Sequence, residues 1–179
     1  YEHFMMKEIH EQPKAVKDTL NSVLKDGKLD LSAVELTNDE IKKISQIYIV
    51  ACGSAYHAGV VAQYVIEDLA KIPVRVELAS EFRYRKPLLD PDGLVVVISQ
   101  SGETADSLAA LRLAKDKGLK TLGIVNVVGS SIAREADNVF YTLAGPEIAV
   151  ATTKAYSTQL IAAYCLALQF AYVRGEMEL

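Results

Sequence analysis

A chain of 179 residues with 50% hydrophobic content has enough apolar side chains for one core of ordinary size and needs no covalent staples to fold. Its two cysteines, Cys52 and Cys165, lie in apolar runs without metal-ligand spacing, which argues against a disulfide framework or a zinc site and for reduced thiols in a cytoplasmic protein. A net charge of -4 with no basic block argues against nucleic acid as a partner, and the most apolar stretch, 160–173, is broken by Tyr164 and Gln169 and is too short to cross a membrane.

Along the chain, residues 1–40 read as a leader helix or linker. Pro13 marks a helix start, Ala15, Val16, Leu20, Val23 and Leu24 follow at helical spacing, and Asp26-Gly27 stops the run. From 41 to 179 the pattern alternates. Strands are predicted over 47–51, 74–78, 94–98, 121–125 and 139–143, and helices over 54–70, 104–117 and 153–174, with short helical turns over 80–85 and 131–136. Strands that are continuously apolar, as 47–51 and 94–98 are, have both faces buried. With helices between them, they predict an α/β three-layer sandwich around a five-stranded parallel sheet in a doubly wound, flavodoxin-like order. Ligands of such sheets bind at the carboxyl ends of the strands, near the point where the strand order reverses.

Two stretches lie at such ends. Strand 94–98 delivers the chain into Ser99-Gln100-Ser101-Gly102-Glu103-Thr104, three hydroxyls and a glycine at the mouth of a helix. Unpaired N–H groups and a partial positive charge at a helix N-terminus favour an anion, and hydroxyls add donors without bulk. Gly102 allows backbone that a Cβ forbids, and Gln100 offers an amide suited to a sugar hydroxyl. Ser101 or Thr104 acting merely as a helix cap is the plain alternative. A second glycine and hydroxyl, Gly53-Ser54, at the end of strand 47–51 shifts the balance toward a shared crevice. Neither turn is a dinucleotide fingerprint or a P-loop, so a monophosphate ester fits better than a nucleotide, and no cofactor is implied.

The stretch 145–154 reads on its residues as a connecting loop with Thr152 as the N-cap of the last helix and Lys154 solvated. His57 is expected on the surface or in packing, Cys52 as a small buried hydrophobe, and 81–86 as a surface or interface turn. In the last helix, Ile161, Ala162, Leu166, Leu168, Phe170 and Val173 surround the axis almost completely, which predicts a face left for a second copy in a homodimer.

The succession CGSAYHAG, ELASEFRYRKP, SQSGETADSLAALRLAK, NVVGSSIAREAD and EIAVATTKAYSTQL resembles the first sugar-isomerase (SIS) half of the isomerase domain of glutamine:fructose-6-phosphate aminotransferases. KEIHEQPKAV looks like that family's approach to the domain from its glutaminase domain. SQSGET marks the superfamily alone, whereas ASEFRYR and VATTKAYSTQL are more specific. The resemblance implies an enzyme that makes glucosamine 6-phosphate from fructose 6-phosphate and glutamine. It implies phosphate and sugar contacts from Ser99, Gln100, Ser101 and Thr104, contacts from the Gly53-Ser54-Ala55 turn, and a backbone contact from Val150. The family usually has Thr-Ser where this chain has Ser54-Ala55, so Ala55 offers only its backbone. The family's acid-base glutamate, ring-opening histidine, Schiff-base lysine and glutaminase cysteine belong to segments outside this stretch. The expectation is therefore a domain that binds fructose 6-phosphate or glucosamine 6-phosphate without catalytic residues of its own, beside a second SIS half and a glutaminase domain. A sugar-phosphate-sensing regulatory SIS domain, or a self-contained isomerase or deglycase using Glu147 as base, are the rivals.

Overall fold

Strands that are apolar at consecutive positions need cover on both faces, and the fold supplies it. The computed structural model describes residues 1–178. It opens with α1 (Phe4–Asn21), a hairpin of β1 (Leu24–Lys25) and β2 (Lys28–Leu29), a 3-10 turn (Ser32–Val34) and α2 (Asn38–Lys43). The alternating part follows: β3 (Ile47–Ala51), α3 (Gly53–Ala70), β4 (Val74–Leu78), α4 (Ala79–Phe82), β5 (Leu94–Ser99), α5 (Ala105–Asp116), β6 (Lys120–Val125), α6 (Ser131–Glu135), β7 (Asn138–Tyr141) and α7 (Lys154–Val173). The five long strands pair in parallel in the order β4-β3-β5-β6-β7, with Ala51 opposite Ile98 where β3 meets β5.

Side-chain alternation divides the core into two layers. Ile47, Ile49, Ala51, Val96 and Ile98 pack with Ala62 and Ile66 of α3 and Leu166 and Phe170 of α7. Tyr48, Val50, Val95 and Val97 pack with Phe82 of α4, Leu111 of α5 and Ile132 of α6. The doubly wound order follows from the connections. From β3 the chain crosses through α3 to β4 on one side of the sheet, and from β5 it crosses through α5 to β6 on the other. The crevice between the ends of β3 and β5 is where the strand order reverses.

The N-terminal segment differs from its sequence reading. Pro13 does not start a helix; it lies inside the unbroken α1. A proline there has no N–H for the carbonyl of Ile9, and the Gln12 side-chain amide supplies one instead, donating to Ile9 O at 3.2 Å. Asp26-Gly27 is the turn of a hairpin, with φ of 52° and 74°, the left-handed pair that a two-residue connection between twisted strands requires. The run 24–29 is too short for its alternation to register as strands. α1 rests on α7: the Ser157 hydroxyl donates to Gln12 Oε1 at 2.6 Å, and Leu143 N donates to Thr19 Oγ1 at 2.9 Å.

The apolar surround of α7 is used mainly within the chain, between the sheet, α1, α2 and α3. Ala162, Leu166 and Phe170 are buried, and Tyr164, Leu168 and Tyr172 form the stripe left open to solvent. Cys165 is buried as expected, and burial pushes its thiol up to about 11. No helix of the described residues is long and apolar enough to cross a membrane.

Lys154 is not solvated. It is 2% exposed, and its Nζ donates to Glu11 of α1 at 2.5 Å. That hydrogen bond, with Lys7 adding to it, holds the Glu11 carboxyl below the usual glutamate range. A carboxyl lowered in the folded state contributes stability above its ordinary pKa and loses it as pH falls through the lowered value. Glu11→Gln is expected to lower Tm near neutral pH by leaving Lys154 buried without a charge partner. The gap to wild type should close as pH falls from about 7 to about 3, as thermal melts across that range will show. A gap independent of pH contradicts this account of the pair.

Candidate functional site

β3 and β5 end side by side, and each runs directly into the mouth of a helix. At α5 the N-cap residue is Thr104, yet its side chain does not cap the helix. Thr104 Oγ1 lies 2.9 Å from Ser99 Oγ, which also accepts from Gly102 N at 3.1 Å, while Ser101 Oγ accepts from Glu103 N at 3.1 Å. The hydroxyls thus shape the turn and leave the first N–H groups of α5 without a side-chain acceptor. The capping alternative for Ser101 and Thr104 is set aside by these partners. α3 repeats the arrangement: Cys52 precedes it and contributes no side-chain cap. Two helix N-termini with partial positive charge therefore open at one switch point.

The turn before α5 is braced from behind. Gly102 has φ of 68°, and a Cβ there would run into the Ser130 side chain, so both conformation and space demand glycine. The Glu103 carboxylate accepts from Ser131 Oγ at 2.6 Å and Ser131 N at 2.8 Å, and these bonds hold it below the usual glutamate range. Gln100 O accepts from Asn126 N at 3.1 Å, which ties the turn to the end of β6.

A cleft of 240 Å³ brings together Ser54, Ala55, Ser99, Gln100, Ser101, Thr104 and Val150, the residues expected to touch a ligand, and adds Cys52, Glu147, Thr152 and Gln159. Gly53 is not part of its lining; with φ of 58° it turns the chain from β3 into α3. None of the lining residues is basic, so an anion here is met by backbone dipoles and hydroxyls. A larger hollow of 510 Å³ lies toward the other end of α7, against Leu31, Ile41 and Phe170, away from both helix mouths. His57 is exposed on α3 and does not line the cleft. Cys52 lines it and is half-buried, not the buried hydrophobe expected, because it sits where the strand opens into the helix.

The third wall is the stretch before α7. Thr152 is not its cap. Glu147 Oε2 accepts from Thr153 N at 3.1 Å and from Ala155 N at 3.0 Å, so a carboxylate six residues upstream occupies the helix start. Val150 stands fully exposed on the cleft rim. The backbone leading to it is held from α1: Glu8, 3% exposed, accepts from Ile148 N at 2.5 Å and from Ala149 N at 3.2 Å. Among the described residues, no group of three or more His, Cys, Asp or Glu is placed to hold a metal ion.

Residues 40–169 match the SIS domain family. The chain belongs to the SIS domain family. Over 178 residues it is 61% identical to glutamine--fructose-6-phosphate aminotransferase [isomerizing] of Clostridium tetani, covering 99% of this chain and 29% of that protein. It thus spans under a third of the length of the curated relatives it matches. The C-terminal domain of glucosamine-fructose-6-phosphate aminotransferase from Francisella tularensis superposes with a TM-score of 0.95 at 45% identity, over 99% of this chain and 50% of that one. The sugar isomerase domain of an RpiR transcription factor from Sphaerobacter thermophilus, 21% identical over 94% of this chain and 89% of its own, shares the fold alone at a TM-score of 0.70.

Within this SIS domain, sequence reasoning did not single out Glu8 or Gln159, and it read Thr152 as a helix cap and not as a wall of the cleft. Gln159 left a signal, an amide one helical turn from Ala155, Ala162 and Ala163 on an otherwise apolar face; Glu8 left none, since its partners lie about 140 residues away. Glu8→Ala is expected to cost roughly 1.5 to 3 kcal/mol, the range for hydrogen bonds to a charged group. It should also speed hydrogen exchange at Ile148 and Ala149 relative to the sheet amides. Unchanged exchange at those two positions means that Glu8 does not hold the loop.

Proposed function

We propose that this chain is the sugar-phosphate-binding part of the isomerase domain of a glutamine:fructose-6-phosphate aminotransferase, and that it holds fructose 6-phosphate or glucosamine 6-phosphate by the phosphate at the mouth of α5. The observation that carries this reading is the pair of helix N-termini without side-chain caps at one switch point, with the Ser99, Ser101 and Thr104 hydroxyls around one of them. The identity to a glutamine--fructose-6-phosphate aminotransferase supports it, and favours fructose 6-phosphate among the many phosphate esters that such a cradle suits.

Each wall has its part. The phosphate oxygens accept from the first N–H groups of α5 and from the hydroxyls of Ser101 and Thr104, with Ser99 orienting Thr104. The Gln100 amide and the backbones of Ala55 and Val150 face the sugar carbons. Because the charge is met by fixed dipoles, the site discriminates by geometry more than by net charge, and added salt should weaken binding only modestly.

The chain binds and orients sugar phosphate, and the proton transfers of the isomerisation belong to groups outside it. Glu147 is the one carboxylate among the lining residues, and two bonds to the α7 backbone commit it to capping. This weighs against a self-contained isomerase. The second SIS half and the glutaminase domain of the parent enzyme are the segments that would complete the chemistry.

Ser101→Ala and Thr104→Ala are each expected to weaken fructose 6-phosphate binding about tenfold or more in a calorimetric titration, with the fold intact by circular dichroism. Equal affinity in wild type and both variants puts the phosphate elsewhere. Isomerase turnover by the pure chain that Glu147→Gln abolishes contradicts the binding-only assignment, since a positioned acid or base typically contributes about 10² to 10⁴ in rate.

A further inference from the structure

Gln159 sits on the second turn of α7, on the face turned into the core, and is 4% exposed. Its Oε1 is enclosed and has no hydrogen-bond partner, and the residue lines the same cleft as the phosphate turn. Its buried neighbours on the helix have nothing left to satisfy. The Thr158 hydroxyl donates to Ala155 O at 2.9 Å, and Ala155, Ala162 and Ala163 carry no polar side-chain atoms. Packing alone would favour an apolar side chain here, because a buried amide with an unpaired end destabilises the ligand-free protein. An unsatisfied group at the wall of a cleft, on an element other than the one that holds the phosphate, suits a second contact on the same ligand.

We propose that the Gln159 amide contacts the sugar itself, accepting a hydrogen bond from a hydroxyl on the carbon chain of the sugar phosphate. The inference rests on the sugar-phosphate reading above and deepens it by naming a residue that selects a polyol over a bare anion. The terminal torsion of a glutamine is broad and two-fold, so the amide turns its oxygen into the cleft without moving α7. A phosphate alone occupies the α5 mouth and leaves Gln159 unpaired. A ligand that carries hydroxyls and fills the cleft satisfies it. Binding and specificity are thereby linked, since an analogue lacking the hydroxyl leaves the buried amide orphaned.

The test is a titration of wild type, Gln159→Leu and Ser101→Ala with fructose 6-phosphate and with inorganic phosphate, alongside the Tm of each ligand-free protein. Gln159→Leu removes the amide and keeps an apolar side chain; Gln159→Met, unbranched, serves if leucine does not fit. The expected result is about a two- to tenfold loss of fructose 6-phosphate affinity, unchanged affinity for inorganic phosphate, and a ligand-free Tm equal to or above wild type. Equal loss of both ligands with a lowered Tm means that Gln159 is a packing residue and overturns the inference. Unchanged affinity for both ligands overturns it as well. If Ser101→Ala weakens both ligands while the Gln159 variants weaken neither, the phosphate reading stands and only the Gln159 contact falls. If wild type binds neither ligand, the sugar-phosphate reading fails and takes the contact with it.

Discussion

The site depends on one constraint of backbone pairing: β3 and β5 are parallel neighbours whose connections leave on opposite sides of the sheet. Where those connections diverge, neither of them covers the strand ends. The residues that follow Ala51 and Ser99 must then satisfy two helix starts in the open, and here their side chains do not. At α5, Ser99, Ser101 and Thr104 bond to one another and to the turn backbone, which spends the hydroxyls on shape and keeps the helix N–H groups free. An anion is then the natural remaining acceptor, and a basic side chain is not needed to attract it.

A second dependence runs from α1 to the rim of the cleft. Glu8 holds the backbone at 148–149, Glu11 neutralises Lys154, Gln12 both bonds Ser157 and repairs the gap left by Pro13, and Thr19 anchors Leu143. All four partners lie in or beside the connection between β7 and α7, the stretch that carries Val150 and Thr152 to the cleft. The helix that looked from sequence like a leader is packed as the brace of one wall of the site. A movement of α1 would be felt beside Val150 before it reached the α5 mouth, because Glu8 holds the two residues that precede Val150, whereas none of the α1 side-chain bonds reaches the α5 turn.

The sheet was legible because its central strands, β3 and β5, are apolar and rich in β-branched residues along almost their whole length, and 47–51 and 74–78 match the observed bounds without adjustment. The geometry of the turn before α5 was legible for the same local reason, as strand, hydroxyls, glycine and helix are contiguous in 94–116. What escaped was non-local. Glu8 lies on a polar face where a solvated carboxylate is the ordinary expectation, and only the return of the chain after β7 gives it partners. Glu147 displaced Thr152 as the cap of α7 through a loop geometry that spacing does not encode. Lys154 read as solvated because the helix that buries it comes from the other end of the chain. Short elements also escaped: the hairpin strands are two residues each, below the length at which alternation is a signal.

The central claim is that sugar phosphate binds where β3 and β5 part. The most direct measurement is an NMR titration of the isotope-labelled chain with fructose 6-phosphate, following every backbone amide. The account predicts that the largest saturable shifts cluster at 53–55, at 99–107 and at 150–152, three segments far apart in sequence that share one cleft. Shifts concentrated instead at 25–38, around the 510 Å³ hollow toward the far end of α7, would contradict it.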